Sequence, residues 1–566
     1  MDFSKINLDD NQVLAREIIE EANNQNFKNR HDFEKFRNSL IKKHKGRIFH
    51  NLYFIRAYND LLKEGKIAEN QNLLSLIRKR SVRTLSGVAP VTVMTKPFPC
   101  PGRCVYCPTD VRMPKSYLPS QPAAQRAFRQ RFNPYTQVFV RLKALHMTGH
   151  KISKVELRVI GGTWSAYPKR YQKWFIKQSL QALNEFSEQV RSKKISQMKD
   201  LIKENIVKSP YGEDKVTTVV LKPLNGSSKF EDVVKINETS DVRCIGINIE
   251  TRPDFIDEKE VRLLRSLGVT KVEMGVQTID DKVQEITKRG HDLACVKRAT
   301  KLLKDAGMKV GYHMMPNLPG STVALDKRMV GELFTDEGYQ PDYLKIYPCV
   351  VVAKSKLAID FKKGLYKPYD ESVLKDVLLA EMKDVPPWCR IDRIARDIPS
   401  TELIAGFKSS NIRQILEKEL IEKGIPCRDI RSREVKNEEV SNVELVVRKY
   451  SASGGEELFL SYEDVMKDKL VALLRLRFPS KTFLPELKNA ALIREIHVYG
   501  KQIAVGEKDK GEKQHVGWGT KLMQSAEKRA KEAGYKKIAV IAGIGTREYY
   551  SKKGYKLVGT YMLKSL

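Results

Sequence analysis

Cys100-Pro-Gly-Arg-Cys104-Val-Tyr-Cys107 decides how this chain is read. Its three thiols are spaced C-x3-C-x2-C in a loop marked by Pro97, Pro99, Pro101, Gly102 and Pro108, with an aromatic residue before the last thiol. Four thiolates close an iron–sulfur cluster, whereas three leave one corner iron open to chemistry at the metal. A structural zinc knuckle is the competing reading. It needs a fourth ligand nearby, and the next histidines, His146 and His150, stand far downstream.

The rest of the composition fits an intracellular chain of several domains. With 566 residues the chain exceeds one core and predicts roughly three or four domains. No apolar run approaches the roughly 20 residues that cross a bilayer, and the first residues lack a signal peptide's apolar core. The expected location is the cytoplasm, with no membrane partner. Eight cysteines, three of them clustered, suggest a reduced compartment with a metal site rather than a disulfide framework. Lys plus Arg number 102 against 69 acidic residues, a net charge of +33. Such an excess favours a polyanion through counterion release, and its clustering in particular segments points to nucleic acid.

Residues 1–85 read as a basic helical segment for RNA. Leu14, Ile18, Ile19, Leu40, Ile41, Leu73, Leu74 and Ile77 recur at helical spacing, and Arg78, Lys79, Arg80 and Arg83 close the segment. From 86 to 400 strands and helices alternate. The predicted strands are 154–160, 244–250, 271–277, 309–315 and 342–347; helices over 258–267 and 293–306 each end at a glycine, Gly268 and Gly307. Repeated βα units predict an α/β fold, a parallel sheet forming a barrel or partial barrel, with functional groups at the C-terminal strand ends. Gly161, Gly162, Glu250 and Lys345 fall there. Residues 184–240 break the rhythm and read as a surface insertion, 401–442 as a basic connector, and 443–566 as a further α/β domain.

That last domain carries its own signature, Gln514-His-Val516-Gly517-Trp518-Gly519-Thr520, ahead of a helix with Leu522, Met523, Ala526 and Ala530 on one face. Glycines permit close backbone approach, and N–H groups at a helix start bind pyrophosphate. A generic glycine turn is the rival. The strand Glu495-Ile496-His497-Val498 upstream and Tyr549-Tyr550 downstream strengthen the ligand reading. His497 reads either as a base or as a packed strand residue, and the two tyrosines either as site or as core.

The cysteine loop resembles the radical S-adenosylmethionine (SAM) superfamily, and the C-terminal arrangement resembles the GNAT acetyltransferases. Their fusion on one basic chain resembles the Elongator catalytic-subunit family, with its single-chain relatives that modify the wobble uridine of tRNA. From about residue 75 onward the likeness rests on Tyr117, Arg126-Ala-Phe-Arg129, Asn133-Pro-Tyr135, Gly161-Gly-Thr163, Ile249-Glu-Thr-Arg-Pro-Asp254, Val272-Glu-Met-Gly-Val-Gln277, Pro316-Asn-Leu-Pro-Gly320, Leu344-Lys-Ile-Tyr-Pro348, Arg396-Asp-Ile-Pro399 and Tyr462-Glu-Asp464.

The resemblance implies a [4Fe-4S] cluster on Cys100, Cys104 and Cys107, SAM and acetyl-CoA as cofactors, and the anticodon loop of tRNA as partner. It also implies an electron donor, with a homodimer or Elongator-type subunits as further partners. An electron passed to SAM gives a 5′-deoxyadenosyl radical, which takes hydrogen from the acetyl methyl group. The carbon radical adds to C5 of uridine, and thioester hydrolysis leaves 5-carboxymethyluridine. A wobble base in a single-stranded loop is splayed out at modest cost.

By the same resemblance, Gly161, Gly162 and Thr163 meet SAM, and Lys154 contacts acetyl-CoA. Glu250 and Arg252 line the SAM pocket or pair with each other, and Lys345 points into the barrel mouth or lies along the surface. Backbone groups of Glu495, Ile496, His497 and Val498 hold the thioester. Gln514, Val516, Gly517, Trp518, Gly519 and Thr520 hold the CoA phosphates, with Tyr549 near the sulfur. Arg112, Lys115, Arg126, Arg129, Arg131 and Lys143, interleaved with Tyr117, Phe128, Phe132 and Tyr135, suit phosphate contact and base stacking. Many relatives carry a further cysteine cluster between the domains; here Cys427 stands alone, so no structural zinc is expected. Two other functions compete: a protein lysine acetyltransferase, which leaves the cysteines without work, and a non-catalytic tRNA-binding scaffold, which has no need of two intact motifs.

Overall fold

A computed structural model describes residues 12–43, 51–77, 87–191, 202–210, 215–224, 226, 228–409, 411–436, 438–499 and 517–566. Arg78, Lys79, Arg80, Gln514 and Val516 therefore lie outside the described residues, as does Arg83. The chain divides into two compact units, one of residues 1–90 with 139–154 and one of 91–138 with 155–566.

The smaller unit is helical. Gln12–Asn23, Arg30–Lys43, Asn51–Lys63 and Gln71–Ile77 are helices whose apolar faces bury Ile18, Ile19, Phe33, Phe54, Leu61, Leu73 and Ile77 in a shared core. The helical spacing of those apolar residues in the sequence is the cause, since each helix turns one stripe inward.

The larger unit contains two seven-stranded sheets. The first is built from β1 (Ala89–Met94), β2 (Lys154–Ile160), β5 (Arg243–Thr251), β6 (Val269–Gln277), β7 (Lys309–Met314), β8 (Tyr343–Ile346) and β10 (Arg390–Ile394), in that order. From β5 to β10 every pairing is parallel. Helices Glu258–Ser266 and Leu293–Asp305 cover it, each ended by a glycine with positive φ, Gly268 and Gly307. This is the curled half-barrel of the expected α/β class. A small antiparallel hairpin, β3 (Ile202–Lys208) with β4 (Lys215–Leu221), occupies the stretch read as an insertion, and β9 (Val351–Val352) pairs with β11 (Leu403–Ala405).

The second sheet runs in the order β12 (Val443–Ala452), β13 (Gly455–Asp464), β14 (Lys469–Phe478), β15 (Ala490–Val498), β16 (Lys537–Val540), β18 (Tyr561–Ser565) and β17 (Lys556–Val558). All its pairings are antiparallel except β15 with β16. That parallel pairing covers only Ala490–Ile493 of β15. Beyond it the strand continues along β14 alone, and among the described residues no strand pairs with its other edge. The helix Trp518–Glu532 packs on this face with Leu522, Met523, Ala526 and Ala530 buried against Leu474, Leu476 and Ile493.

The opposite face of the second sheet lies on the N-terminal ends of the half-barrel strands. Arg477 pairs with Asp305 at 2.6 Å and Arg494 with Asp342 at 2.6 Å, all four side chains buried. The backbone meets just as closely: a Cβ on Gly543 would stand 2.0 Å from the carbonyl oxygen of Ile245, and one on Gly545 2.4 Å from Arg243. The two halves of this unit are thus packed as one solid, which fixes the relation of their sites.

Candidate active site

The cysteine loop is fixed by its backbone. Val105 N–H donates to Thr287 O (3.1 Å), Leu357 N–H to Val105 O (2.9 Å) and Thr109 N–H to Lys354 O (3.0 Å). Val105 and Tyr106 bury their side chains among Val283, Leu318, Val351 and Leu357. The proline-rich sequence forbids a helix or strand here, so these tertiary bonds give the loop its shape.

Positive charge converges on the thiols. Arg289 is buried, donates from Nη1 to Cys104 Sγ (3.4 Å), and is held by Gly275 O. The hydrogen bond from Cys107, followed by the Arg289 charge, draws the Cys104 thiol down to about 4, while the same bond and burial push Cys107 up. Arg252 is buried too. It binds Asp254 through Nε and Nη2, each at 2.9 Å, and leaves Nη1 without a partner. A Cβ on Gly102 would stand 2.3 Å from that Nη1, so glycine lets the guanidinium reach under the loop. Three thiols, a buried cation beside them and an orphaned N–H group suit an anionic cluster with an open iron. The donor set fits a [4Fe-4S] cluster held by Cys100, Cys104 and Cys107.

The turn after β2 lies against the same loop. Thr163 Oγ1 is 3.6 Å from Cys100 Sγ. Gly161 has φ +140, and a Cβ there would meet Thr95 Oγ1 at 2.0 Å, so this position admits only glycine. Gly162 faces the Tyr167 hydroxyl. Lys154 opens β2 half-buried, and burial lowers its pKa.

Inside the half-barrel, strand register gathers a second group. Glu250 pairs in register with Glu273, and His313 with Lys345. Lys345 Nζ lies 3.1 Å from Glu250 and closer still to Glu273, while His313 Nε2 is 3.0 Å from Glu273. Asn248 donates to Glu273 (2.7 Å), and the Tyr117 hydroxyl donates to Glu250 (3.4 Å). Burial pushes the Glu273 carboxyl up, but Lys345 and Lys271 outweigh it and hold it well below the usual range. Lys345 is thus an inward ion-paired cation, not a surface lysine. Glu250 binds Lys345 and Arg252 binds Asp254, so those two do not pair with each other.

Sequence reasoning missed Glu273, His313 and Arg289. The first two were findable: they sit on strands flanking Glu250 and Lys345 at positions that turn inward by the strand's period of two. Arg289 follows a helix and carries no periodic signal.

In the C-terminal sheet, the edge of β15 and the helix start come together. Gly517 has φ +104 and precedes the helix Trp518–Glu532; no side chain caps that helix. A Cβ on Gly519 would lie 3.5 Å from the Tyr549 hydroxyl, 3.7 Å from Val498 and 3.8 Å from Ile496. Thr520 Oγ1 accepts from Lys553 (2.8 Å), and Trp518 packs on Tyr462. The glycine start, Tyr549, Ile496 and Val498 therefore lie side by side.

Other candidate side chains turn elsewhere. Glu495 turns the opposite way to accept from Arg475 (2.8 Å) and from the Tyr343 hydroxyl. His497 lies against Tyr499, 4.3 Å between rings, and burial lowers its pKa to about 4. It is a neutral packed residue on the face away from Tyr549. Tyr550 is core, its ring against Tyr549 and Tyr555.

The basic residues assigned to RNA divide as well. Arg112 is tied to Asp110 (2.7 Å), which also holds Lys354. Lys115 donates to Thr109, and Arg131 donates to Thr218 of β4 (3.1 Å). Arg126 is exposed and Arg129 half-buried on the helix Pro122–Arg129. Tyr135 is buried and donates to Glu185 (2.6 Å), so it is not open to a base. Cys244, Cys295, Cys349 and Cys389 are buried as expected, and Cys427 accepts from Ser432 (3.2 Å). No described helix is long and apolar enough to cross a membrane.

Comparison with known proteins agrees with this geometry. The radical SAM superfamily model matches residues 185–326, and the radical SAM C-terminal domain matches 341–422. The chain is similar to a tRNA uridine(34) acetyltransferase of Methanocaldococcus infernus, 40% identical over 525 residues, covering 90% of this chain and 91% of that one. It is similar to Elongator complex protein 3 of Danio rerio, 37% identical over 514 residues and 87% of each. The solved structure of the archaeal Methanocaldococcus infernus Elp3 with an N-terminal deletion superposes with a TM-score of 0.69 at 38% identity, covering 85% of this chain and 100% of that one. With a three-thiol loop over a half-barrel and near-complete coverage of these relatives, the chain belongs to the radical SAM family of Elongator complex protein 3 and the tRNA uridine(34) acetyltransferases.

Proposed function

We propose that this protein modifies the wobble uridine of tRNA, using SAM-derived radical chemistry and acetyl-CoA to place a carboxymethyl group on C5. The observation that carries the reading is the presence of two separate residue groups in one packed body: the thiol loop with Arg289 and Arg252, and the glycine helix start with Tyr549. The names of its relatives, tRNA uridine(34) acetyltransferase among them, supply the substrate class.

Cys100, Cys104 and Cys107 would hold the cluster, which would supply one-electron chemistry toward SAM. The chain's own residues hold and shield. Gly161 and Gly162 offer backbone without a side chain beside the loop, and Glu250, held by Lys345 and Tyr117, offers an acceptor in the barrel mouth. In the second half, the edge of β15 that no described strand covers offers peptide groups to a pantetheine arm, and the N–H groups at Trp518–Thr520 suit its pyrophosphate. The exposed basic residues Arg126 and Arg131 suit the RNA backbone.

The test is anaerobic turnover of reconstituted protein with dithionite, SAM, acetyl-labelled acetyl-CoA and bulk tRNA, followed by nucleoside mass spectrometry. Labelled 5-carboxymethyluridine, lost without SAM and in Cys104→Ala, is the expected result. Acetylated protein with no labelled nucleoside, unaffected by Cys104→Ala, would instead make this a protein acetyltransferase.

A further inference from the structure

A ladder of aromatic rings leads from the cysteine loop to the surface. Phe98, two residues before Cys100, stacks on Tyr167 with centroids 4.8 Å apart and planes 29° apart. Tyr167 stacks on Tyr171 at 5.0 Å and 22°, and Tyr171 meets Trp174 at 5.6 Å and 36°. The rungs are pinned to the segment that enters the loop. Tyr167 donates to Lys96 O (2.7 Å) and shares a hydrogen bond with Thr95 (2.8 Å), while Lys96 N–H donates to the Tyr171 hydroxyl (3.1 Å).

The outer end is open and positively charged. Trp174 is 40% exposed, a large fraction for the largest apolar side chain. Lys96 lies over the Tyr171 ring at 5.1 Å, and Arg170, Lys169 and Lys173 are exposed on the same helical segment. Two acids face this group: Glu260 binds Lys169, and exposed Glu231 binds Lys173 at 3.1 Å. Four cations against two carboxylates leave the patch positive.

We propose that Trp174 and the cations around it form the docking surface for a small acidic one-electron carrier protein, with the ring ladder linking that carrier to the cluster loop. The inference rests on the proposed radical SAM function. One carrier molecule is oxidised by one electron and the cluster on Cys100, Cys104 and Cys107 is reduced by one; no bond is made or broken. Charge complementarity identifies the occupant as acidic. Single-stranded RNA also uses aromatic and cationic groups. Here, however, the inner rings face one another and only the outermost is offered to a base, and the innermost ring stands two residues before the first thiol.

The experiment uses the full chain, reconstituted anaerobically, with a reduced acidic flavodoxin as probe. Stopped-flow bleaching of the cluster absorbance gives the rate of reduction, and calorimetric titration with oxidised flavodoxin gives binding. In Arg170→Glu and in Trp174→Ala, reduction by flavodoxin should slow at least about tenfold at low salt. Reduction by dithionite should stay at the parental rate, and the parental flavodoxin rate should fall as salt rises. Parental rates in both variants would overturn the proposal. So would normal flavodoxin binding with loss of tRNA binding, which would make the patch an RNA platform. Should the parent assemble no cluster, the radical reading itself fails, and the titration still decides the surface, because flavodoxin affinity must fall in both variants.

Discussion

Arg494 grips Asp342 with two parallel hydrogen bonds, Nη1 to Oδ2 at 2.9 Å and Nη2 to Oδ1 at 2.6 Å, and neither side chain reaches solvent. One residue belongs to β15 of the C-terminal sheet and the other immediately precedes β8 of the half-barrel. Asp342 also accepts from Val310 N–H (2.8 Å), so the same carboxylate ties two barrel strands to the second sheet. Burial pushes it up, but Arg494 and Lys304 hold it well below the usual carboxylate range.

Removing one partner of such a pair strands the other in a dry interior. Arg494→Met should therefore lower stability by roughly 3–5 kcal/mol. Urea unfolding checks this. Both halves of the larger unit should unfold together in the parent, and the variant should lose that coincidence.

Gly543 makes a different prediction about the same junction. Its backbone is ordinary, with φ −66, but a methyl group would overlap the Ile245 carbonyl, which cannot swing aside as a side chain would. Gly543→Ala should therefore destabilise strongly, by several kcal/mol, while Gly534→Ala, where nothing lies within 4 Å, should show only the mild penalty of its positive φ. Thermal unfolding of the two variants side by side separates packing from backbone strain.

How far the sequence could lead follows from how local each signal is. The barrel strands were legible because βα alternation is periodic; β2 spans the expected 154–160. The glycine start and Tyr549 were legible as a motif. His497 was misplaced as a base because a motif does not say which strand face a side chain takes; the backbone role read for Glu495 and His497 does not depend on that face. A β-bulge at Arg475/Leu476 shifts the register of β15 there, and the face carrying Glu495 and His497 turns toward the half-barrel. The Arg494–Asp342 pair joins residues 152 apart, a distance over which no spacing rule operates.

Glu381 offers a pH test. It is fully buried, and neither carboxylate oxygen has a hydrogen-bond partner. Burial first, then the neighbouring Asp326 charge, pushes its pKa well above the ordinary value. The folded state then keeps a proton that the unfolded chain releases above about pH 4.3. Folding stability at this residue is full below that pH and declines as pH rises toward the folded pKa. Glu381→Gln removes the titration. Its melting temperature relative to the parent should rise as pH increases above about 5 toward the folded pKa, a trend a fixed packing change would not give.

Lys345 tests the barrel group. Replacing it with Met leaves Glu250 and Glu273 facing each other without the stronger of the two cations, Lys345 and Lys271, that hold Glu273 low. The Glu273 pKa should rise, so any activity needing the ionised group should lose its acid limb at higher pH. The pH profile of turnover with tRNA should shift to the alkaline side, and Lys345→Arg should restore part of it. Loss of activity equal at every pH would mean that Lys345 merely holds the strands together.

The helix start distinguishes strain from space. Gly517 sits at φ +104, where any side chain is strained, yet nothing lies within 4 Å of the position its Cβ would take. Gly519 has an ordinary helical backbone, and a methyl group there would make normal contacts with Tyr549, Val498 and Ile496 at 3.5–3.8 Å. Gly517→Ala should therefore cost stability of about 1 kcal/mol and disturb the N–H groups that follow it. Gly519→Ala should leave the melting temperature near parental while crowding those side chains. If acetyl-CoA lies along β15 with its thioester at Tyr549, calorimetric titration should show weaker binding in both variants. Only Gly517→Ala should lose it together with stability. Parental affinity in Gly519→Ala would place the acyl group elsewhere, because the added methyl touches the Tyr549 hydroxyl and the side chains of Val498 and Ile496.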